Sequence, residues 1–194
     1  SLVDPGALKR AWIYSKRDFA AMAATIAMVL LAGVEAGIMT GVLLSLILFL
    51  ARSARPHMAV VGQVPGTHHF RNVLRHEVIT SPRIYCVRVD ESLYFANARW
   101  LEDRLYDPVA ANPEIRDVVL ICSAVNEIDM SALEGLESLN QRLRDADVRF
   151  HLSEVKGPVM DALKRSHFLD ELTGKEFLSQ HDALAALDPV TTKR

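Results

Sequence analysis

Charge is missing from one long stretch of this chain. Residues 19–51 carry a single ionisable side chain, Glu35, whereas the sequence on either side is ordinarily charged. Cysteine is scarce too: Cys86 and Cys122 are the two present, both in apolar, strand-like runs. That reads as reduced core thiols in a cytosolic compartment and excludes a disulfide framework. Net charge is only −2, so no basic excess argues for a nucleic-acid partner. Histidines are scattered, and His68-His69, adjacent in the chain, lack the further ligands a metal needs. There is no zinc spacing, no glycine-rich phosphate loop and no Ser/His/Asp signature. No catalytic residue, metal site or cofactor is therefore assigned, and the reading is of a protein that is not an enzyme.

The uncharged stretch decides the class. As one helix, residues 19–51 would form a rod of about 50 Å, against a hydrocarbon core of about 30 Å. Gly33 and Gly37 flank Glu35 and offer a break. The expectation is a transmembrane helical hairpin over 19–51, with helices at 19–33 and 36–51. The rest of the chain is too short to wrap such a pair on all sides, which argues against a soluble core. Lys9, Arg10, Lys16 and Arg17 precede the hairpin, and Arg52 and Arg55 follow it. Lys/Arg excess marks cytoplasmic ends, so both ends read as cytoplasmic, with Glu35 toward the outer face. An ionisable group at membrane depth is a functional candidate, so Glu35 is kept as the membrane site. Its place in a glycine-flanked turn also lets it reach headgroups or water. Gly33, Gly37 and Gly41 are spaced for close helix packing, against further membrane helices or in a homodimer. The chain opens at Ser1 in polar sequence, which reads as a piece of a longer protein with its missing part upstream.

The segments are expected as follows: 1–18 a cytosolic pre-helix segment, 52–67 a connector punctuated by Pro56, Gly62, Pro65 and Gly66, in which Met58-Ala59-Val60-Val61 is either a strand or a closely packed linker, 68–190 an α/β domain, and 191–194 a tail. In the domain, Ile84 to Val89 reads as a strand, with Tyr94-Phe95 its continuation or a second one. A helix over 97–106 ends at Pro108. Val118 to Cys122, apolar throughout, is the central strand, buried on both faces. Ser131 with Glu134 forms an S-x-x-E box that would cap the next helix. Val148, Phe150 and Leu152 alternate with Arg149, His151 and Ser153 as in a strand. Pro158 suits the first turn of a further helix. Phe177 fits a last short strand and 182–187 a last helix. Strands separated by helices imply a mixed, largely parallel sheet flanked by helices.

Asp129-Met130-Ser131-Ala132-Leu133, entered from 118–123, resembles the signature loop of the STAS domain, shared by sulfate transporters and anti-sigma-factor antagonists. Ser92-Leu93-Tyr94-Phe95-Ala96-Asn97-Ala98 is similar to the form of that domain in sulfate permease (SulP-type) anion transporters. Arg52-Ser53, Pro56-His57, Gly62, Pro65-Gly66-Thr67, Val155-Lys156-Gly157-Pro158-Val159, Leu8-Lys9-Arg10-Ala11-Trp12 and Asp18 fit the same family in order. The resemblance covers essentially the whole chain. It implies the C-terminal part of such a transporter: the last membrane helix pair and a cytoplasmic STAS domain with an anchoring and regulatory role. The implied setting is multi-pass in the inner (plasma) membrane, with lipid and the absent upstream transport helices as partners. In the antagonist branch, the residue after the loop aspartate is a serine that a kinase phosphorylates; here it is Met130, which cannot take phosphate. Asp129, Met130 and Ser131 are the candidate regulatory and binding loop. The alternative is a membrane-tethered antagonist-type signalling protein. The anion and its coupling ion are not legible in the residues.

Overall fold

The computed structural model describes residues 4–192. It splits between Ala54 and Arg55 into two units, each described by itself.

The first unit is helical from near its start. Helix α1 (Pro5–Tyr14) is opened by Asp4, whose carboxylate accepts the Gly6 N–H at 2.8 Å. Ser15 then breaks the chain in extended backbone, and its hydroxyl accepts the Asp18 N–H at 3.3 Å to start α2 (Lys16–Ala32). The expected pre-helix segment is thus itself helical; its residues 1–3 lie outside the described residues.

A single residue, Gly33 at φ 94°, separates α2 from α3 (Val34–Ser53). α2 and α3 pack as a pair of helices about this residue, and the expected halves of the membrane hairpin are corrected. The turn does not extend to Gly37, and Glu35 sits exposed in the first turn of α3. There a negative charge suits the helix N-terminus. α3 has 20 residues and, among the described helices, it alone is long and apolar enough to cross a membrane. At 1.5 Å per residue it reaches about 30 Å.

The glycine stripe has an occupant within the unit. A Cβ on Gly37 would run into Val29, and one on Gly41 would lie 3.0 Å from Thr25 Oγ1. α3 therefore packs its glycines on α2, as small residues allow. Thr25 and Thr40 return their hydroxyls to the Ala21 and Ala36 carbonyls at 2.8 Å, so each is satisfied within its own helix.

The second unit is built on a six-stranded sheet of order β2-β1-β3-β4-β5-β6. Its strands are β1 (Met58–Gln63), β2 (Phe70–Asn72), β3 (Ile84–Val89), β4 (Asp117–Ile121), β5 (Arg149–Ser153) and β6 (Glu176–Phe177). β3 to β6 run parallel, while β1 is antiparallel to both β2 and β3. The connector reading of 52–67 is corrected here. It contains β1, an interior strand with buried Ala59 and Val61, so the domain begins near Arg55.

β4 is buried along its whole length, which is why Val118 to Ile121 are apolar without alternation. One face of the sheet carries α4 (Ala98–Ala111), α5 (Met130–Asp145), α6 (Gly157–Leu163) and α7 (Phe168–Glu171), packed through Leu101, Leu105, Leu136, Leu139, Leu163 and Phe168. The other face is covered by α8 (Gln180–Leu187) through Ala183 and Leu184, against Cys86, Val119 and Ile121. Burial pushes both the Cys86 and the Cys122 thiols up to about 12, as expected of reduced core cysteines.

Other expectations change. Tyr94-Phe95 is a turn, not a strand. α4 runs through Pro108 for a further turn; the proline costs one helical hydrogen bond but sits too near the end to stop the helix. β5 buries both faces: His151 and Ser153, expected toward solvent, are 2% and 0% exposed. The expected tail starts inside α9 (Pro189–Thr192), and residues 193–194 lie outside the described residues.

His151 shows how a polar side chain is held in that core. Its Nδ1 accepts the Lys175 N–H at 3.0 Å, so the ring proton is on Nε2, 3.0 Å from Asp117 Oδ1. Arg149 Nε donates to the same carboxylate at 2.8 Å. Burial acts to raise the Asp117 carboxyl, but the hydrogen bonds from His151 and Arg149 outweigh it and hold it below the usual carboxylate range. A Cβ on Gly174 would collide with the Phe150 carbonyl and the His151 ring, so the chain passes there only as glycine.

A candidate interaction loop

The two stretches that carry the family resemblance in the domain prove to be one piece of structure. Between β4 and α5 the chain folds back against the loop between β3 and α4. Leu93 N–H bonds Glu127 O at 2.9 Å, Asp129 N–H bonds Leu93 O at 3.0 Å, and Leu93 pairs with Ile128 in a parallel bridge. Asn126 N–H reaches Ser92 Oγ at 3.2 Å. The fully buried Asn97 ties its own loop, Nδ2 donating to Ser92 O at 2.9 Å and Oδ1 accepting Tyr94 N–H at 3.1 Å.

Asp129 is the clasp. Its Oδ1 accepts the Ala132 N–H at 2.8 Å and its Oδ2 accepts the Phe95 N–H at 2.9 Å. The N-cap of α5 is therefore Asp129, not Ser131 as the S-x-x-E spacing predicts. The cap and the helix start two residues earlier, and Asp is as good a cap as Ser. Ser131 falls inside the first turn, exposed, with no hydrogen bond from its hydroxyl among the described residues. Met130 is 68% exposed, and Phe95, held by the same clasp, is also 68% exposed. Two large apolar side chains thus stand in solvent where the two loops join.

Beside Met130 lies a cavity of about 550 Å³ between α5 and the α6–α7 segment. Ile128, Leu133, Ala162 and Leu163 supply apolar lining, and Arg165 and His167 polar lining. This arrangement can take an apolar side chain of a partner under a polar rim. It pairs no nucleophile with a base. Sequence reading named Asp129, Met130 and Ser131 but missed Phe95 and the α6–α7 wall. The α7 part of that wall had no signal, because α7 is four residues long.

Several basic residues of the domain are committed to partners. Arg142 pairs with Glu102 at 2.6 Å and stacks 3.9 Å above the Tyr106 ring. Arg144 donates to Glu171 O at 2.6 Å, and Lys156 to Asn126 Oδ1 at 2.7 Å.

Comparison with known proteins agrees with this geometry. The STAS domain family matches residues 75–183. The chain is 36% identical to "Sulfate transporter 4.1, chloroplastic" of Arabidopsis thaliana over 186 residues, 89% of this chain and 27% of that protein. It is 31% identical to "High affinity sulfate transporter 2" of Stylosanthes hamata over 203 residues, 98% of this chain and 30% of that protein. It thus spans less than a third of the length of these relatives. Among solved structures, the murine Solute Carrier 26 family member A9 anion transporter in its inward-facing state has the same fold. The TM-score is 0.82 at 19% identity, over 95% of this chain and 30% of that one. With the family model matching residues 75–183 and the likeness to sulfate transporters running over most of the chain, the chain belongs to the STAS domain family and is homologous to part of the sulfate transporters.

Proposed function

We propose that this chain is the C-terminal, membrane-anchoring and regulatory part of a secondary-active transporter of a sulfate-like inorganic anion. The observation that carries this reading is the extent of the likeness. Similarity to sulfate transporters runs over 89–98% of the chain, well beyond residues 75–183 of the STAS match. The hairpin shares it. α3 supports an anchoring role: Ile38, Met39, Val42, Leu43, Leu46, Ile47 and Phe49 are all half or more exposed, a surface that calls for lipid or further apolar helices. The partners in this reading are membrane lipid, the upstream transport helices of the same protein and a second copy of it.

The STAS domain then works by contact, through Met130, Phe95 and the groove beside them. It lies on the cytoplasmic side of the inner (plasma) membrane, with both ends of the chain cytoplasmic and Glu35 at the outer headgroups. The antagonist-type alternative is disfavoured by Met130, which has no hydroxyl where that mechanism needs one.

Uptake of radiolabelled sulfate and bicarbonate by the full-length protein that carries this chain, in proteoliposomes, tests the reading. Uptake of one anion is expected, unchanged by Met130→Ser and lowered by Met130→Asp with Phe95→Asp at equal protein level. Absence of uptake of any inorganic anion would overturn the transporter reading. Uptake indifferent to the double substitution would remove the loop from the regulatory surface.

A further inference from the structure

A second, polar crevice shares no lining residue with the cavity beside the clasped loop. It is a cavity of about 260 Å³ on the α8 side of the sheet, bordered by His68, His69, Arg71, Arg88, Ser123 and Glu154. These residues come from β2 and the turn before it, the end of β3, and the segments leaving β4 and β5. Carboxyl ends of parallel strands are where open α/β sheets gather ligand groups, because several loops converge there.

The donors in this crevice are largely unspent. The Arg71 side chain makes no hydrogen bond or ion pair among the described residues, its backbone alone being tied into the β1–β2 ladder opposite Gly62, and the Ser123 hydroxyl makes none either. Arg88 is aimed by Asp90, which takes Nε at 2.6 Å and Nη2 at 3.2 Å and leaves Nη1 available. Asp90 is itself held by His57 Nδ1 at 2.7 Å. His68 is fixed by stacking on His181 of α8, with ring centroids 3.9 Å apart.

One carboxylate faces these donors. Glu154 lies close enough for its charge to act on Arg88, and it stands in the left-handed region at φ 55°, a conformation unfavourable for glutamate. Such strain persists where surrounding structure imposes it, and it gathers at functional sites. A crevice with two guanidinium groups and one carboxylate acceptor is not a general anion trap. With Asp90 and Glu154 offsetting Arg71 and Arg88, its charge is near balance. A fully deprotonated oxyanion would set an oxygen against the Glu154 carboxylate, whereas one that retains an O–H would donate to it.

We propose that this crevice binds a small oxyanion that keeps its own O–H, of the bicarbonate or monohydrogen phosphate kind. Arg71 and Arg88 donate to its oxygens, and Glu154, whose Oε1 also takes the Gln180 N–H at 3.4 Å, accepts the hydrogen bond from its O–H. The site is independent of the transporter reading, and its failure leaves that reading standing.

Calorimetric titration of the full chain in lipid nanodiscs at neutral pH and constant ionic strength tests it, with bicarbonate, phosphate and sulfate as probes. Saturable binding of bicarbonate or phosphate is expected, and whichever binds identifies the source. Sulfate is expected to bind at least about tenfold more weakly, the weight of one charge-assisted hydrogen bond. Arg71→Gln should weaken the preferred anion by a similar factor, with Arg71→Lys intermediate. Glu154→Gln should bring the sulfate and phosphate affinities together, because an amide can donate to sulfate. An unchanged melting curve for each variant separates loss of the site from loss of fold. Equal binding of all three anions, no saturable binding of any, or a selectivity ratio untouched by Glu154→Gln would each overturn the proposal.

Discussion

Replacement of Asp129 tests whether its two carboxylate oxygens hold the loop together. Oδ1 caps α5 through Ala132 N–H and Oδ2 holds Phe95 N–H, 34 residues away in sequence. Asp129→Ala removes both. Loss of an N-cap costs about 1 kcal/mol, and loss of the second, exposed hydrogen bond about 1 kcal/mol more. For a domain of this size, about 2 kcal/mol lowers Tm by roughly 6–8 °C. Asp129→Asn divides the two contributions. Asparagine caps a helix nearly as well as aspartate, but its amide nitrogen would face the Phe95 N–H, donor against donor. About half of the alanine effect is therefore expected, with the C-terminal end of α5 unaffected. Urea and thermal melts of residues 55–194 read the stability, and amide hydrogen exchange at Phe95 and Ala132 reads the two bonds separately. If Asp129→Ala costs less than about 0.5 kcal/mol, the size of an ordinary surface substitution, the clasp contributes nothing and the argument fails. Equal cost for Asn and Ala would refute the division between cap and cross-loop bond.

A fragment of residues 55–194 should unfold cooperatively as one unit. One starting at residue 68 should not fold, because it lacks β1, which lies between β2 and β3; circular dichroism melts compare the two. Val119→Asp sets a carboxylate in the middle of β4, where Val119 is 0% exposed, and should cost several kcal/mol, enough to unfold a domain of ordinary stability. A folded, normally melting variant would refute the strand placement. Asp117 has a folded-state carboxyl held below its ordinary value, so its contribution is present above the unfolded value, about 4, and is lost as pH falls through the lower folded value. Asp117→Asn should thus destabilise the domain by about 1–3 kcal/mol near neutrality. That difference should shrink in melts taken at increasingly acidic pH; a gap that widens on acidification would reverse the assigned sign.

Some of this protein is written locally. The uncharged run 19–51 requires an apolar surrounding whatever its neighbours, and a run as apolar as Val118-Val119-Leu120-Ile121 has no solvated face to offer, so β4 is central. Pro158 opens α6 by fixing its own backbone. Helix and strand periods, set by side chains a few residues apart, survive folding because burial follows them.

What only the tertiary structure decided depends on groups distant in the chain. Met58 to Val61 reads equally as a strand or a packed linker, because its glycine-bounded short run shows nothing of β3, its partner across the sheet. His151 and Arg149 read as the wet face of a strand until Asp117 and Lys175 give their polar atoms partners. Both Ser131 and Asp129 satisfy the chemistry of a cap. The choice fell to Asp129 because its second oxygen also answers the Phe95 N–H, a donor that local spacing does not reveal. The crevice of Arg71, Arg88 and Glu154 is assembled from three strand ends, and no motif within any one segment encodes it. Hydrophobic period is a property of neighbours along the chain, whereas the satisfaction of a buried or clasped polar group belongs to neighbours in space.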